Sequence, residues 1–321
     1  MHPEFAGPLP TYANSTPVVE PPGSGPGNWA GGPSAALGPD GAIYLAYRLR
    51  RPVGRGYANV VARSEDGERF EVLATLERDA FDCESLERPA LVSLPGGGWR
   101  IYVSCATSGS KHWRVDVIDA DSPANFDPAK RRTILPGDST EALKDPVVIR
   151  TVDAWHMWVC AHPLEVAGAE DRMSTRYATS ENGIDWELHG VAIAPTEGAW
   201  DGRGARVASV IMTGDEVLAY FDGRASAAEN AEEHTGLAAG SPQHLRPCGD
   251  APIPGSPFGT GSLRYISLVA VDGGYRLYFE TSRRDGAHDL RTEYVPFPLS
   301  PSQSEKSSPV SRSRRRMSSS K

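Results

Sequence analysis

The sequence has no stretch approaching 18 uninterrupted apolar residues, which leaves no candidate for a transmembrane helix. No segment carries a convincing amphipathic helical pattern either, so a helical solenoid is excluded. The four cysteines, Cys83, Cys105, Cys160 and Cys248, are widely scattered without a C-x-x-C pair. That argues against a zinc site or a disulfide framework and for buried free thiols. There is no Gly-rich phosphate loop, no metal-spaced cluster and no G-x-S-x-G elbow. Nucleotide-dependent and serine-hydrolase chemistry therefore lack support, and no cofactor or metal is expected. Residues 1–27 are rich in Pro and Gly but have neither a basic start nor an apolar core. They do not read as a secretory signal, which points to a cytoplasmic protein.

What is abundant is turn chemistry: 33 Gly and 27 Pro in 321 residues, with 39% hydrophobic residues, enough for a sizeable core. Charge is uneven. The net value is −8, yet Ser300 to Lys321 holds six basic residues against the single acid Glu305. This Ser-rich tail has no hydrophobic periodicity and is expected to be disordered and solvated, with no nucleic-acid or membrane partner.

One short pattern recurs: an apolar strand, a Gly- or Asp-containing turn, then a second strand centred on an aromatic. The aromatics are Tyr44, Tyr102, Trp158, Tyr220 and Tyr278, separated by 58, 56, 62 and 58 residues. A third strand follows each: Ala58 to Ser64, Arg114 to Ile118, Thr175 to Ser180, Thr235 to Gly240, and Leu290 to Val295. In two units a near-identical hairpin comes next, Ser64-Glu65-Asp66-Gly67 to Phe70 and Ser180-Glu181-Asn182-Gly183 to Trp186. Asp-Gly and Asn-Gly are strong two-residue turn signals. A looser relative, Asp121 to Phe126, occupies the slot in the second unit. Repeats of this kind without helices predict an all-β fold, a single five-bladed β-propeller with four-stranded antiparallel blades. Its bounds are 28–299, between an N-terminal arm (1–27) and the tail (300–321). The fifth unit lacks an outer strand, and a segment near Thr16 to Glu20 is expected to supply it.

In a propeller the entry ends of the innermost strands face a shared funnel. Counting back 14, 13, 14 and 14 residues from the second to fifth reference aromatics reaches Arg88, Asp145, Arg206 and Arg264. The first unit has Gly31-Gly32-Pro33 there; just upstream of the others lie Glu84 and Glu87, Lys144, and Asp201 with Arg203. Charge thus converges on one mouth. Such a set is either a lattice of ion pairs between blades or a ligand pocket, since converging buried charges are costly unless paired or used. Arginine forks suit an anionic or richly hydroxylated ligand. Trp29 and Trp200 can stack on a sugar ring or simply pack, and His162 is either a pocket residue or structural.

The repeat, the stretch Ala178-Thr179-Ser180-Glu181-Asn182-Gly183-Ile184-Asp185-Trp186 and the element Leu143-Lys144-Asp145-Pro146 resemble the five-bladed propeller glycosidases, the superfamily of glycoside hydrolase families 43, 32, 62 and 130. The resemblance spans roughly Asn28 to Pro296. Lys144-Asp145-Pro146 is similar to the family's Arg-Asp-Pro element, which implies that Asp145 orients substrate and stabilises the transition state. The chain departs where families 43 and 32 place an essential Asp in the first blade, since Gly31-Gly32-Pro33 stands there; the Lys-Asp-Pro element also falls in the third unit rather than the second. Two carboxylates are needed for hydrolysis by the common route, and the expected pair is Asp145 with a neutral, proton-donating Glu87, Asp201 in reserve. A small-molecule sugar or glycoconjugate is the implied partner. The readings are a glycoside hydrolase, a phosphate-dependent glycosidase of the family 130 kind, or a non-catalytic carbohydrate-binding propeller.

Overall fold

The computed structural model describes residues 7–297; the tail expected to be disordered lies outside them. The described chain is all-β, with helical structure confined to short 3₁₀ turns. Strand β1 (Thr16–Val19) is followed by an antiparallel meander of β2 (Trp29–Leu37), β3 (Ile43–Arg51), β4 (Arg55–Ser64) and β5 (Glu71–Glu77). A second meander holds β6 (Ala90–Ser93), β7 (Trp99–Ala106), β8 (Trp113–Ala120) and β9 (Arg132–Leu135). The third holds β10 (Glu141–Arg150), β11 (Trp155–Pro163), β12 (Ser174–Ser180) and β13 (Glu187–Ile193). The fourth holds β14 (Gly204–Thr213), β15 (Glu216–Arg224), β16 (His234–Ser241) and β17 (His244–Pro247). Last come β18 (Leu263–Val271), β19 (Gly274–Ser282) and β20 (His288–Pro296), with β1 antiparallel on β20, Thr16 opposite Thr292.

The second strands are buried almost continuously rather than alternately, since both of their faces are covered: every residue of β7 is buried and all but the first of β15, whereas the outer strands β5, β9, β13 and β17 are largely exposed. Ile101 and Val103 of β7 pack with Ala46 and Val61 of the first set. Met157 and Val159 of β11 pack with Tyr102 and Val117 of the second. Tyr278 and Leu290 of the last set pack with Leu45 and Val60 of the first. Each buried side chain of this size contributes about 1.5–3 kcal/mol. The opening strands touch in succession: β2 meets β6, β6 meets β10, β10 meets β14, β14 meets β18, and β18 returns to β2.

The recurring aromatic has a physical job. The Tyr102 hydroxyl donates to Gly183 O (2.7 Å) at the hairpin of the next set, and Tyr278 donates to Gly67 O (3.0 Å). Trp158 Nε1 donates to Pro242 O (2.9 Å), and Tyr220 to Pro8 O (2.6 Å) in the segment before β1. The two near-identical hairpins are closed alike. The hydroxyl of Ser64 accepts the Gly67 N–H (2.8 Å) and that of Ser180 accepts the Gly183 N–H (2.9 Å), both glycines having positive φ. The looser second-set relative lies in a longer connection between the antiparallel β8 and β9: β8 ends at Ala120, Phe126 is buried in the core, and a 3₁₀ turn (Pro128–Lys130) precedes β9.

Candidate active site

Four of the opening strands carry a bulge near their entry ends, within Gly31/Ser34, Lys144/Val147, Val207/Ser209 and Arg264/Ser267. An extra residue in one strand re-aims its side chains. In three of them a residue adopts a left-handed conformation: Gly32 (φ 58°), Asp145 (φ 54°) and Tyr265 (φ 56°). Asp145 and Tyr265 each lie 13 residues before their reference aromatic, so the repeat puts them in one structural position.

These bulges build a continuous charge network. Glu87 pairs with Arg48 and lies 3.5 Å from Arg50. Arg48 also donates to Glu280 (3.1 Å), which takes two bonds from Arg264 (3.0 and 2.6 Å). Arg264 pairs with Glu233, which holds Arg224 at 3.0 Å and Arg206 at 3.8 Å. Arg206 reaches Asp222 (3.0 Å) and Asp145 (3.5 Å), and Lys144 lies 3.7 Å from Asp145. The Arg88 N–H donates to Asp145 (3.1 Å), joining the end of the network to the segment before β6 where it began. Arg48, Arg88, Arg206, Arg224 and Arg264 are buried, and so are Glu87, Asp145, Asp222, Glu233 and Glu280.

Tyr265 stands within this ring. The Arg206 guanidinium is 3.8 Å from its ring centroid, Arg264 5.2 Å and Arg48 5.6 Å, and its hydroxyl donates to Asp145 Oδ2 (3.3 Å). Burial pushes its phenol well above the usual range, so it is a neutral donor. The funnel expected at the axis is thus filled by the protein's own side chains. Two surface grooves, of about 690 and 320 Å³, lie elsewhere, against β9 and β13.

The electrostatics correct one expectation. Burial would raise Glu87, but Arg48, Lys144, Arg50 and Arg55 overcome it and hold the carboxyl well below its usual range. A carboxyl held down in this way does not suit the neutral, proton-donating role expected of Glu87. Glu233 and Glu280 are held down in the same way by their arginines. At Asp222 burial prevails over Arg206 and the carboxyl is raised. Arg88 has no carboxylate in ion-pair reach among the described residues; burial brings it down to about 10, and its Nη1 has no hydrogen-bond partner. Burial, with Lys144 adding to it, lowers His162 to about 3, leaving a neutral ring 2.7 Å from Glu170 O.

Of the residues singled out from sequence, Glu87, Arg88, Lys144, Asp145, Arg206 and Arg264 come together here. Trp29 joins them, stacked on His288 (5.0 Å between centroids) with Arg50 4.5 Å from its ring. The others stand apart. Asp201 is buried and accepts from Thr196 (3.1 Å), Trp200 packs on Phe221, Arg203 pairs with Asp171, and Glu84 is exposed and caps the Gly109 N–H. Tyr265 and Glu233 were missed, and only Tyr265 had a signal, its place in the same repeat column as Asp145. Arg48 and Arg224 stand out in the sequence four residues beyond their reference aromatics, as Asp222 and Glu280 do two beyond theirs, and the structure brings all four into the network.

The glycine pair of the first set also finds its cause. A Cβ on Gly31 would lie 1.8 Å from Glu280 Oε2, and the Gly32 N–H donates to that oxygen (3.1 Å). A carboxylate does stand at this position, delivered from β19 of the neighbouring set.

Among solved structures the chain resembles a thermostable family 43 glycoside hydrolase, at 13% identity and a TM-score of 0.67, over 84% of this chain and 90% of the other. The chain has the fold of the propeller glycosidases. A structure from work on family 130 mannoside phosphorylases and on glycoside hydrolases that target β-1,2-mannosidic linkages in Candida mannan is similar at 15% identity and a TM-score of 0.66, covering 94% and 98%. The Xanthomonas citri family 43 enzyme, solved with xylotriose, is similar at 16% identity and a TM-score of 0.61, covering 87% and 89%. No family model matches the chain, and no curated protein matches it in sequence. Among the described residues no group of His, Cys, Asp and Glu is arranged to hold a metal ion.

Proposed function

We propose that this is a glycosidase-like protein, its five strand sets forming the blades of a closed propeller and its sugar site lying at the axial mouth. Closure is supported by the cyclic contact of the opening strands. The observation that carries the functional reading is the carboxylate of Glu280 in the space that Gly31 leaves empty, in one charge network with Asp145. The first-blade acid required by the resemblance is thereby supplied from another strand.

In this reading Glu280, held ionised, is the base or charge stabiliser, and Asp145 orients the sugar. Asp222, the carboxyl in the network that is raised, is the group able to retain a proton. Lys144 is partly exposed and Asp145 fully buried, so Lys144 is the member of this pair that meets solvent. A second reading, a carbohydrate-binding propeller without turnover, is favoured by the ionised state of Glu87 and by Tyr265 filling the axis.

A turnover and thermal-shift screen against aryl glycosides and oligosaccharides, with and without phosphate, separates them. Turnover without phosphate that Asp145→Asn abolishes is expected of the hydrolase. Sugars that raise the melting temperature but are never cleaved would leave the binding reading; phosphate-dependent release of a sugar phosphate would mark a phosphorylase.

A further inference from the structure

The charge network is not balanced along its length. Four cations, Arg48, Arg50, Arg55 and Lys144, act on the single carboxylate of Glu87. Arg48 is shared with Glu280 and Lys144 with Asp145, but the one carboxylate near Arg50 is Glu87 itself. Arg55 makes no ion pair among the described residues. Its guanidinium lies 5.5 Å from the Trp113 ring, and the Lys144 ammonium lies 4.7 Å from the same ring. Arg50, Arg55 and Lys144 are the partly exposed members, so the surplus charge faces the mouth.

Unmet hydrogen bonding points the same way. Arg50 Nε, Trp29 Nε1 and Arg88 Nη1 are buried donors without partners, against one such acceptor nearby, Asn59 Oδ1. Trp29 is only 7% exposed, and its ring lies beneath Arg50. Arg55 is held at φ 54° after the turn Pro52–Gly54. A bulky residue avoids that conformation by about 1–2 kcal/mol, and such strain persists where placement of the side chain is used.

We propose that this mouth binds an oxyanion carried on a sugar, a carboxylate of the uronic acid type, seated between Arg50, Arg55 and Lys144. The inference rests on the sugar reading above and names its substrate class. Guanidinium forks in a partly desolvated site match a carboxylate's two oxygens, whereas a neutral sugar leaves the surplus charge uncompensated.

Titration calorimetry and thermal shift on the full chain test this with glucuronate and galacturonate, neutral glucose and galactose, and inorganic phosphate. The variants are Arg55→Ala and, as a charge-matched control, Arg69→Ala, whose side chain is exposed at a distant hairpin. Uronates should bind with an affinity that falls with salt. Arg55→Ala should weaken them about tenfold or more without changing the ligand-free melting temperature, and Arg69→Ala should not. Neutral sugars binding as tightly as uronates would overturn the inference and leave the sugar reading standing. Phosphate binding that needs Arg55, with uronates silent, would overturn the sugar-borne source; silence to every probe would sink inference and reading together.

Discussion

At the scale of the residue, the charge network shows how much a single side chain's state depends on surroundings. Glu87 and Asp222 are both buried carboxyls, yet the cations around one hold it ionised while burial raises the other. His288, stacked on Trp29, is the histidine joined to this network by hydrogen bonds. Burial would lower it, but hydrogen bonds from its ring to Glu232 (3.1 Å) and Glu280 (2.7 Å) raise it above its ordinary 6.5. A pKa raised on folding contributes stability that is complete below the unfolded value and lost as pH rises through the folded one. His288→Gln should therefore lower the melting temperature most near about pH 5 and progressively less above about pH 7. A gap that widens with pH would contradict this assignment. Tyr265 shows where reading by residue type fails: its repeat column was visible, but the left-handed backbone that turns its ring under Arg206 is a property of the folded bulge.

At the scale of the element, the second strands were legible because each reference aromatic serves two ends. It fills a core between sets and, in four of five cases, its polar tip staples the next set or the segment before β1. Such double use enforces even spacing in the sequence. The charged mouth was legible only as a list of positions. Its wiring depends on Arg48, Asp222, Arg224 and Glu280 at the far ends of second strands and on Glu233 just before β16, and on bulges that no local pattern announces. Gly31 was read as a lost catalytic position, whereas the structure fills that space from β19. Gly31→Ala should thus destabilise the fold by about 1–3 kcal/mol, the range for overpacking, and Glu280→Ala in the same chain should relieve part of it. Additive losses in denaturant melts of the two single variants and the double would mean that the side chains do not share the space.

At the scale of the whole molecule, the network ties every set to its neighbours through ionised groups rather than apolar contact alone. Glu87, Glu233 and Glu280 all have folded pKa values below the ordinary 4.5. Their contribution is complete above that value and lost as pH falls beneath it. The melting temperature should hold down to about pH 5 and then drop steeply, with one cooperative transition, because loss of a buried partner strands its arginine. A flat profile to about pH 3 would show that these pairs add little to stability.

The most direct test of the central claim, that the charge network is a sugar site and not only a structural lattice, is to measure turnover and affinity of wild type and Asp145→Asn on the same sugar. The account predicts turnover reduced by about 10²-fold or more with affinity changed only a few-fold. Turnover and affinity both untouched by the substitution would contradict it and leave the network as scaffold.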